Sequence, residues 1–548
     1  MAAPGFARSV ISDFRNSTAR ELSKRAAVLL AAFVCLAAIA VVIHGYHPYS
    51  EDAAIYVPAI KKQLDPTLYP HHNEFFLSHA RLSLFSIWVA QSVRLTHVSL
   101  ETGLLSWHIA TLAFFLAAAW WFCTVCFHDS RMAVYGTLLL TSVLTLPVAG
   151  TSVLLTDPYL TARSLSTPAL LLMLCFVLED RFWSAFICFL VALLVHPLMA
   201  AYGAFFALAY CAVKRKQWGL IITAGICIAL ALLLARHVPL LTRTSPEYRA
   251  AAQSRSYFFL SSWKWHEKLG LVAPLVIFAW LGWKTRRPSS DVVISLARTV
   301  VITGSIGVAT ALALSYDDSL FAFARYQPLR IFHIAYILLF LIAVNLWIQR
   351  LPRYRSAMVA AVVTIAGASM FMAARLSFPD SAHLELRFTT EKSRWIQAFA
   401  WVRGNTPKDA VFALDPEYMD LPEEDHFGFR AYAERVSLAD RTKDGGVAAL
   451  FPQLADEWFE DARASANVRN LTAPGAVTSL EKRGASWVIT SDHVDSALTC
   501  PYRNGGLSVC ELPPTPTRGD FKGTESSIGL RSRSTYAAHR RAFTEPVL

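Results

Sequence analysis

A mainly α fold is what the sequence predicts: a polytopic bundle of about 11 transmembrane helices with a small extracytoplasmic α/β domain near its C-terminal end. Three observations predict it. Hydrophobic residues make up 54% of the 548 and charged residues only 17%, a balance that a soluble globular chain of this length does not show. Apolar runs of near-spanning length recur from Ala26 to about residue 376, and beyond them the runs shorten and charge returns. Basic clusters fall between alternate runs, which gives one consistent orientation.

The elements follow in order. Arg8, Arg15, Arg20, Lys24 and Arg25 precede the unbroken apolar run Ala26 to Ile43, close to the ~20 residues that a ~30 Å hydrocarbon core requires. Residues 1–25 are therefore expected in the cytoplasm, and His44-Gly45-Tyr46-His47-Pro48 does not resemble a cleavage site, so the run stays as an anchor. The transmembrane part covers 26–376, with a long first outer loop over 44–102. Within that loop, Leu82 to Val93 is bracketed by Arg81 and Arg94 and interrupted by Ser83, Ser86, Gln91 and Ser92, the pattern of an interfacial amphipathic helix. Further runs lie near 104–127, 132–149, 165–178, 182–195, 198–213, 218–235, 269–283, 292–314, 329–348 and 355–376. Lys214-Arg215-Lys216, then Lys284, Arg286 and Arg287, then Arg350, Arg353 and Arg355 then all fall inside. This is the layout of a multi-pass protein of a bacterial inner membrane.

Residues 377–512 read as the outer α/β domain. WIQAFAWVRGNTPKDAVFALDPE gives an amphipathic helix, a Pro turn and a strand, and Ala485 to Thr490 and Leu507 to Leu512 are further strands. Cys500 and Cys510 flank Asn504-Gly505-Gly506 and either close a hairpin as a disulfide or stay as two thiols. Residues 513–548, rich in Pro, Thr, Ser and Arg, read as a disordered tail. The net charge of +11 sits largely in the cytoplasmic loops and this tail, which argues against a nucleic-acid partner. No Gly-rich phosphate loop is visible, which argues against an ATP-driven pump.

The acidic pair Glu51-Asp52, in HGYHPYSEDAAIYVPAI directly after the first run, is the leading candidate for chemistry. Adjacent carboxylates repel and hold water, so at a bilayer edge they suit binding a cation or taking a proton. The plainer reading is a helix start in which Ser50 caps and the acids favour the dipole. His71-His72 with Glu74 are either metal ligands or a polar turn. TDPYLTARSLSTP places Asp157 and Arg163 near the membrane edge, with Pro158 and Pro168 expected to interrupt helix; Asp157 either joins Asp52 around a cation or sugar, or caps a helix. His196-Pro197 marks a further helix break. The basic outer loop from Arg236 to Lys268 holds Arg249 and Arg255 on the side where fewer bases are expected, so it asks for an anionic partner. With Arg325 and Arg330 it could clamp a diphosphate, although Arg330 could equally snorkel. Trp263 and Trp265 in SSWKWHEK are either belt aromatics or a sugar-stacking surface, and His266 beside them is a candidate for substrate binding.

The arrangement resembles the GT-C superfamily, polytopic glycosyltransferases that draw sugars from polyprenyl-phosphate donors. What carries the resemblance is an inside N-terminus, one span, a long outer loop opening on Glu51-Asp52, further spans and an extracytoplasmic domain. SEDAAIYVPAIKKQLDPTLYP and FGFRAYAERVSLAD look like uncharacterised bacterial members. The resemblance implies transfer of a hexose or pentose to a glycan, lipid or protein acceptor, with Asp52 as catalytic base or ligand of a divalent cation (Mg or Mn), and Glu51 and Asp157 assisting. A transporter or flippase of a lipid-linked or anionic solute is the competing class; it is expected to place ionisable groups in mid-span. A noncatalytic scaffold of the same fold is the third.

Overall fold

The computed structural model of the chain describes residues 19–235, 244–283, 291–350, 355–386, 393–421, 427–491 and 498–513. The expected tail and the bases Arg236 and Arg243 lie outside the described residues. Helix dominates. The first run forms α1 (Ala19–His44), and the long loop folds into α2 (Ala53–Leu64), α3 (Glu74–Ala80) and α4 (Phe85–Thr96). Then come α5 (Leu100–Phe127), α6 (Ser130–Ser142), α7 (Ala162–Leu178), α8 (Phe182–Val195), α9 (Pro197–Lys214), α10 (Trp218–Ala235), α11 (Pro246–Gln253), α12 (Trp265–Trp283) and α13 (Asp291–Tyr316). A 3₁₀ segment (Asp318–Tyr326) leads through a second 3₁₀ turn into α14 (Phe332–Leu338), a π turn at Leu339–Ala343 and α15 (Val344–Gln349), and α16 (Arg355–Ser377) ends the apolar part.

Six helical stretches among the described residues are long and apolar enough to cross a membrane: α1, α5, α9, α13, α16 and the composite Asp318–Gln349. In α5, Ser99 accepts the Thr102 N–H at 3.3 Å, and its 28 residues extend about 42 Å at 1.5 Å per residue. The outer faces of α1 and α10 expose Val28, Leu30, Ile222 and Leu233 at 52–68%, which water would penalise and lipid does not. Shorter helices α6, α7 and α8 contribute Leu140, Leu171, Leu174 and Ala192 to the same apolar core as α1 and α5. The run expected over 132–149 is helical only to Ser142, and 143–161 is irregular. Pro168 does not interrupt helix, contrary to expectation: it lies inside α7.

The amphipathic reading of 82–93 agrees with α4. Its Phe85, Val89 and Ala90 are buried against α2 and Val93 is buried over Gly103 of α5, while Leu84 and Ile87 stay exposed. Twelve residues reach about 18 Å, too short to cross.

The C-terminal part contains α17 (Arg394–Asn405), β1 (Val411–Ala413), α18 (Phe429–Ala433), β2 (Val436–Ser437), α19 (Lys443–Leu450), α20 (Ala455–Ser465), α21 (Ala476–Lys482), β3 (Trp487–Thr490), β4 (Thr499–Asn504) and β5 (Leu507–Glu511). The five-stranded sheet runs β2-β1-β3-β5-β4, with β1 parallel to β2 and β3, and β5 antiparallel to β3 and β4. Strand periodicity divides its side chains. Phe412, Ile489 and Val509 pack on Trp395, Phe399 and Val402 of α17. Val411, Ala413 and Val488 on the other face pack on Leu68, Tyr69 and Phe76 of the first loop. The sheet therefore has no complete core without that loop. Lys61 reinforces the join: buried in α2, its ammonium donates to Ala431 O at 2.8 Å and Glu434 at 2.7 Å.

Cys500 and Cys510 are joined as a disulfide across the β4–β5 hairpin. Closing so short a loop stabilises by about 2–3 kcal/mol in the chain-entropy account. Replacing Cys500 by Ser is expected to lower the urea unfolding free energy by that amount, and reductant is expected to affect the wild type but not the variant. An unfolding midpoint unchanged by the substitution would contradict the bridge.

Candidate functional site

The chain leaves α1 through Gly45, whose φ is 80° and where a Cβ would lie 2.9 Å from His47 Nε2 and 3.1 Å from His383 O. Both the backbone conformation and the crowding require glycine. The following residues are bonded to three distant segments. Tyr46 N–H donates to His383 O at 3.0 Å, His47 N–H to Pro158 O at 3.0 Å, and Tyr49 O accepts from Gly428 N–H at 3.2 Å. His47 Nδ1 also meets the buried Glu385. Held this way, Glu51 adopts a left-handed φ of 51°, a conformation that costs a non-glycine residue on the order of 1 kcal/mol.

Asp52 opens α2, yet its side chain does not cap the helix, and Ser50 Oγ donates to His47 O instead. The capping alternative therefore fails. Asp52 Oδ2 accepts from Arg163 Nη2 at 2.8 Å and Oδ1 from Lys443 Nζ at 3.3 Å. Lys443 also donates to Glu51 Oε2. The same Arg163 nitrogen donates to Asp157 at 3.0 and 3.1 Å. Asp157 caps nothing either: Thr161 precedes α7, and its hydroxyl donates to Asp157 at 2.9 Å. Three carboxylates thus face two cations in one chain of ion pairs.

Burial by itself would push the Asp52 carboxyl up, but Lys443 and Arg163 outweigh it and hold it well below the usual carboxylate range. Lys443 is the reciprocal case: desolvation opposes its charge, and Glu51 and Asp52 raise it above the usual lysine value. Asp52 is nevertheless not sealed, since 31% of its side chain remains exposed. Solvent therefore reaches it.

Lys443 begins α19, and its turn is braced from several sides. The Asp440 carboxylate accepts the N–H groups of Lys443 and Asp444 at 2.5 and 3.2 Å. Asp444 in turn forms a buried two-bond pair with Arg430, both bonds 2.7 Å. Arg255 donates to the carbonyls of Arg441 and Thr442, so it positions the Lys443 loop. Sequence reasoning missed Lys443. It lies 391 residues from Asp52, and nothing in DRTKDGG distinguishes it from a solvated lysine.

Further groups feel this cluster, among them Arg330, His79, Tyr56 and Tyr159. Arg330 interacts electrostatically with Asp52 and Arg163, its Nε is buried without a partner, and its guanidinium makes no hydrogen bond or ion pair among the described residues. His79 lies edge-on to Tyr56, ring centroids 5.2 Å apart. Burial pushes it down to about 4 against the opposing pull of Asp52, so it is neutral at neutral pH.

Of the remaining predicted residues, His196 is within electrostatic reach of Arg163 and Arg330, and the others lie apart from the cluster. Arg249 lies over the Phe321 ring and 3.7 Å from Asp318. Arg325 lines a separate cleft with Tyr248 and Asp456. Trp263 is buried, packed so closely over Gly150 that a Cβ there would lie 2.8 Å from its ring, so it offers no sugar-stacking face. His266 is exposed beside Trp265. His196 starts α9, its Nδ1 accepting Met199 N–H at 3.4 Å.

For a divalent cation, the position between Asp52 and Asp157 is taken by the Arg163 guanidinium. Glu74 pairs with Arg81 at 2.9 Å and not with the histidines. The group among the described residues with metal-like spacing is His72, Glu457 and Asp461, whose ligand atoms lie within 4.8 Å of one another. Asp461 there already accepts Arg483 Nε at 2.7 Å, a cation in the place a metal would need.

Fold and site together define a helical protein of membrane type with a charge-paired, partly open acidic site where the first loop meets the C-terminal sheet. Comparison with protein-family models and with characterised proteins finds no match.

The depressed Asp52 value has a consequence for stability. Its contribution is present above the ordinary carboxylate pKa of ~3.9 and is lost as pH falls toward the lower folded value. Melting of the purified protein is expected to drop more steeply between pH 5 and 3 for the wild type than for Asp52→Asn. Equal slopes would contradict the ion pairing.

Proposed function

We propose that the chain is an integral membrane glycosyltransferase that moves a sugar from a polyprenyl-phosphate donor to an acceptor hydroxyl at the outer face of the membrane. The observation that carries this reading is the Asp52 carboxylate held between Arg163 and Lys443, with the unbonded Arg330 beside it. Such a transfer needs a base for the incoming hydroxyl and cations for the departing phosphate, and little else. The outer-face assignment rests on the basic clusters between apolar runs.

In the mechanism, the acceptor oxygen attacks the anomeric carbon and its proton passes to Asp52. The bond from that carbon to the phosphate oxygen breaks, and polyprenyl phosphate leaves with its charge paired by Arg330 and Lys443. In the resting site Asp52 is a weak base, because two cations depress it and a general base works best with a pKa near the operating pH. A donor phosphate that engages Lys443 draws that cation away from the carboxylate. Asp52 then becomes more basic when donor is present. Glu51, sharing Lys443, holds the ammonium in reach, and Asp157 fixes Arg163. A divalent cation, Mg or Mn, would enter only by displacing Arg163 from between the two acids.

The test is transfer of labelled sugar from polyprenyl-phosphate mannose, glucose and arabinose in membranes containing the protein. Asp52→Asn is expected to lower the rate by about 10²–10⁴-fold with insertion unchanged. Arg330→Gln is expected to raise the donor KM about tenfold, the equivalent of one ~1.4 kcal/mol contact. Full activity in Asp52→Asn would sink the assignment.

A further inference from the structure

A cleft of about 400 Å³ is lined by α11, the 3₁₀ segment Asp318–Tyr326 and the start of α20, a size in the range of small-molecule sites. The Asp52 cluster contributes nothing to its lining. Two aromatic rings stand on one wall, Phe323 and Tyr326, with centroids 6.3 Å apart and planes inclined by 39°. Tyr326 is 50% exposed, and the Arg325 guanidinium lies 5.3 Å over its ring centroid. Opposite in sequence, α20 supplies Asp456 and the preceding turn supplies Gln453.

Thr244 and Ser245 of the lining accept hydrogen bonds from Arg249 Nε and Tyr248 N–H, but other polar groups here are unused. Among the described residues, the side chains of Arg325, Gln453 and Asp456 make no hydrogen bond or ion pair. Tyr248 is 2% exposed, yet its hydroxyl has no hydrogen-bond partner, and that hydroxyl lies in the electrostatic field of Arg325 and Tyr326 on the same cleft. A buried hydroxyl without a partner is costly.

The chemistry of the wall selects the ligand. An anion such as a lipid phosphate would meet the Asp456 carboxylate, and a cation would meet Arg325. A neutral polyhydroxylated molecule uses both, donating to Asp456 and accepting from Arg325, while its C–H faces lie on the exposed aromatic ring. We infer that this cleft, formed by Tyr248, Phe323, Arg325, Tyr326, Gln453 and Asp456, is a saccharide-binding site. Under the transferase reading, on which this last step rests, it holds the sugar of the acceptor.

The experiment is saturation-transfer difference NMR on the full chain in lipid nanodiscs free of glycoside detergent. The probes are methyl α-mannopyranoside, methyl β-glucopyranoside, methyl β-galactopyranoside and methyl phosphate. At least one pyranoside is expected to receive saturation from the wild type and from Asp52→Asn. That signal is expected to fall at least tenfold in Asp456→Ala and in Tyr326→Ala, both of which alter exposed side chains and are checked for wild-type melting. Absence of transfer to every pyranoside, survival of the signal in both cleft variants, or preferential saturation of methyl phosphate would each overturn the inference. Sugar binding by a wild-type chain that shows no transferase activity would remove the acceptor assignment and leave the site. Transferase activity without sugar binding would remove the site and leave the transferase reading.

Discussion

A carboxylate recessed at the end of an apolar helical bundle must find a counter-charge, and the way Asp52 does so organises this molecule. One partner, Arg163, comes from the start of α7 and is shared with Asp157. The other, Lys443, comes from the first turn of α19, in the C-terminal part of the chain. Leaving a buried charge without its partner costs about 3–5 kcal/mol, so the ion pairs tie the first loop, the bundle and the C-terminal sheet to one geometry. The strained Glu51 backbone is a local cost of presenting two acids to one ammonium.

The packing around this point follows the same constraint. The first loop supplies part of the apolar cover of one sheet face, through Leu68, Tyr69 and Phe76, and the loop is itself anchored by Lys61 to α18. Arg430, Asp444, Asp440 and Arg255 then fix the turn that carries Lys443. None of these need touch a substrate. Their role is positional, and a site whose charged groups sit on a braced turn and a helix start keeps its geometry better than one built on a free loop.

Much of the helical part was legible in the sequence because length and hydropathy alone specify it. Each named apolar run coincides at least in part with a helix, and the interfacial reading of 82–93 and the strands at 487–490 and 507–511 agree with the periodicity that suggested them. The proline at 168 misled: as the seventh residue of α7 it cannot donate to Ser164 O, and the helix continues through it because its buried face packs in the bundle. At the site, Glu51, Asp52, Asp157, Arg163 and Arg330 could be nominated from their position at apolar edges. Lys443 could not, since pairing across hundreds of residues leaves no local signal. Arg255 and Trp263 have side-chain types that suit a ligand site, and only packing reveals that one braces a loop and the other fills a core.

The central claim is that Asp52 and Lys443 form one energetic unit, and a double-mutant cycle measures it directly. Unfolding free energies of the wild type, Asp52→Asn, Lys443→Met and the double variant, taken in the same lipid environment, are predicted to be non-additive. The coupling should be at least ~0.5 kcal/mol, with the double variant less destabilised than the sum of the singles. Additivity to within about 0.3 kcal/mol would mean that the first loop and the C-terminal sheet do not meet through this pair, and would contradict the account.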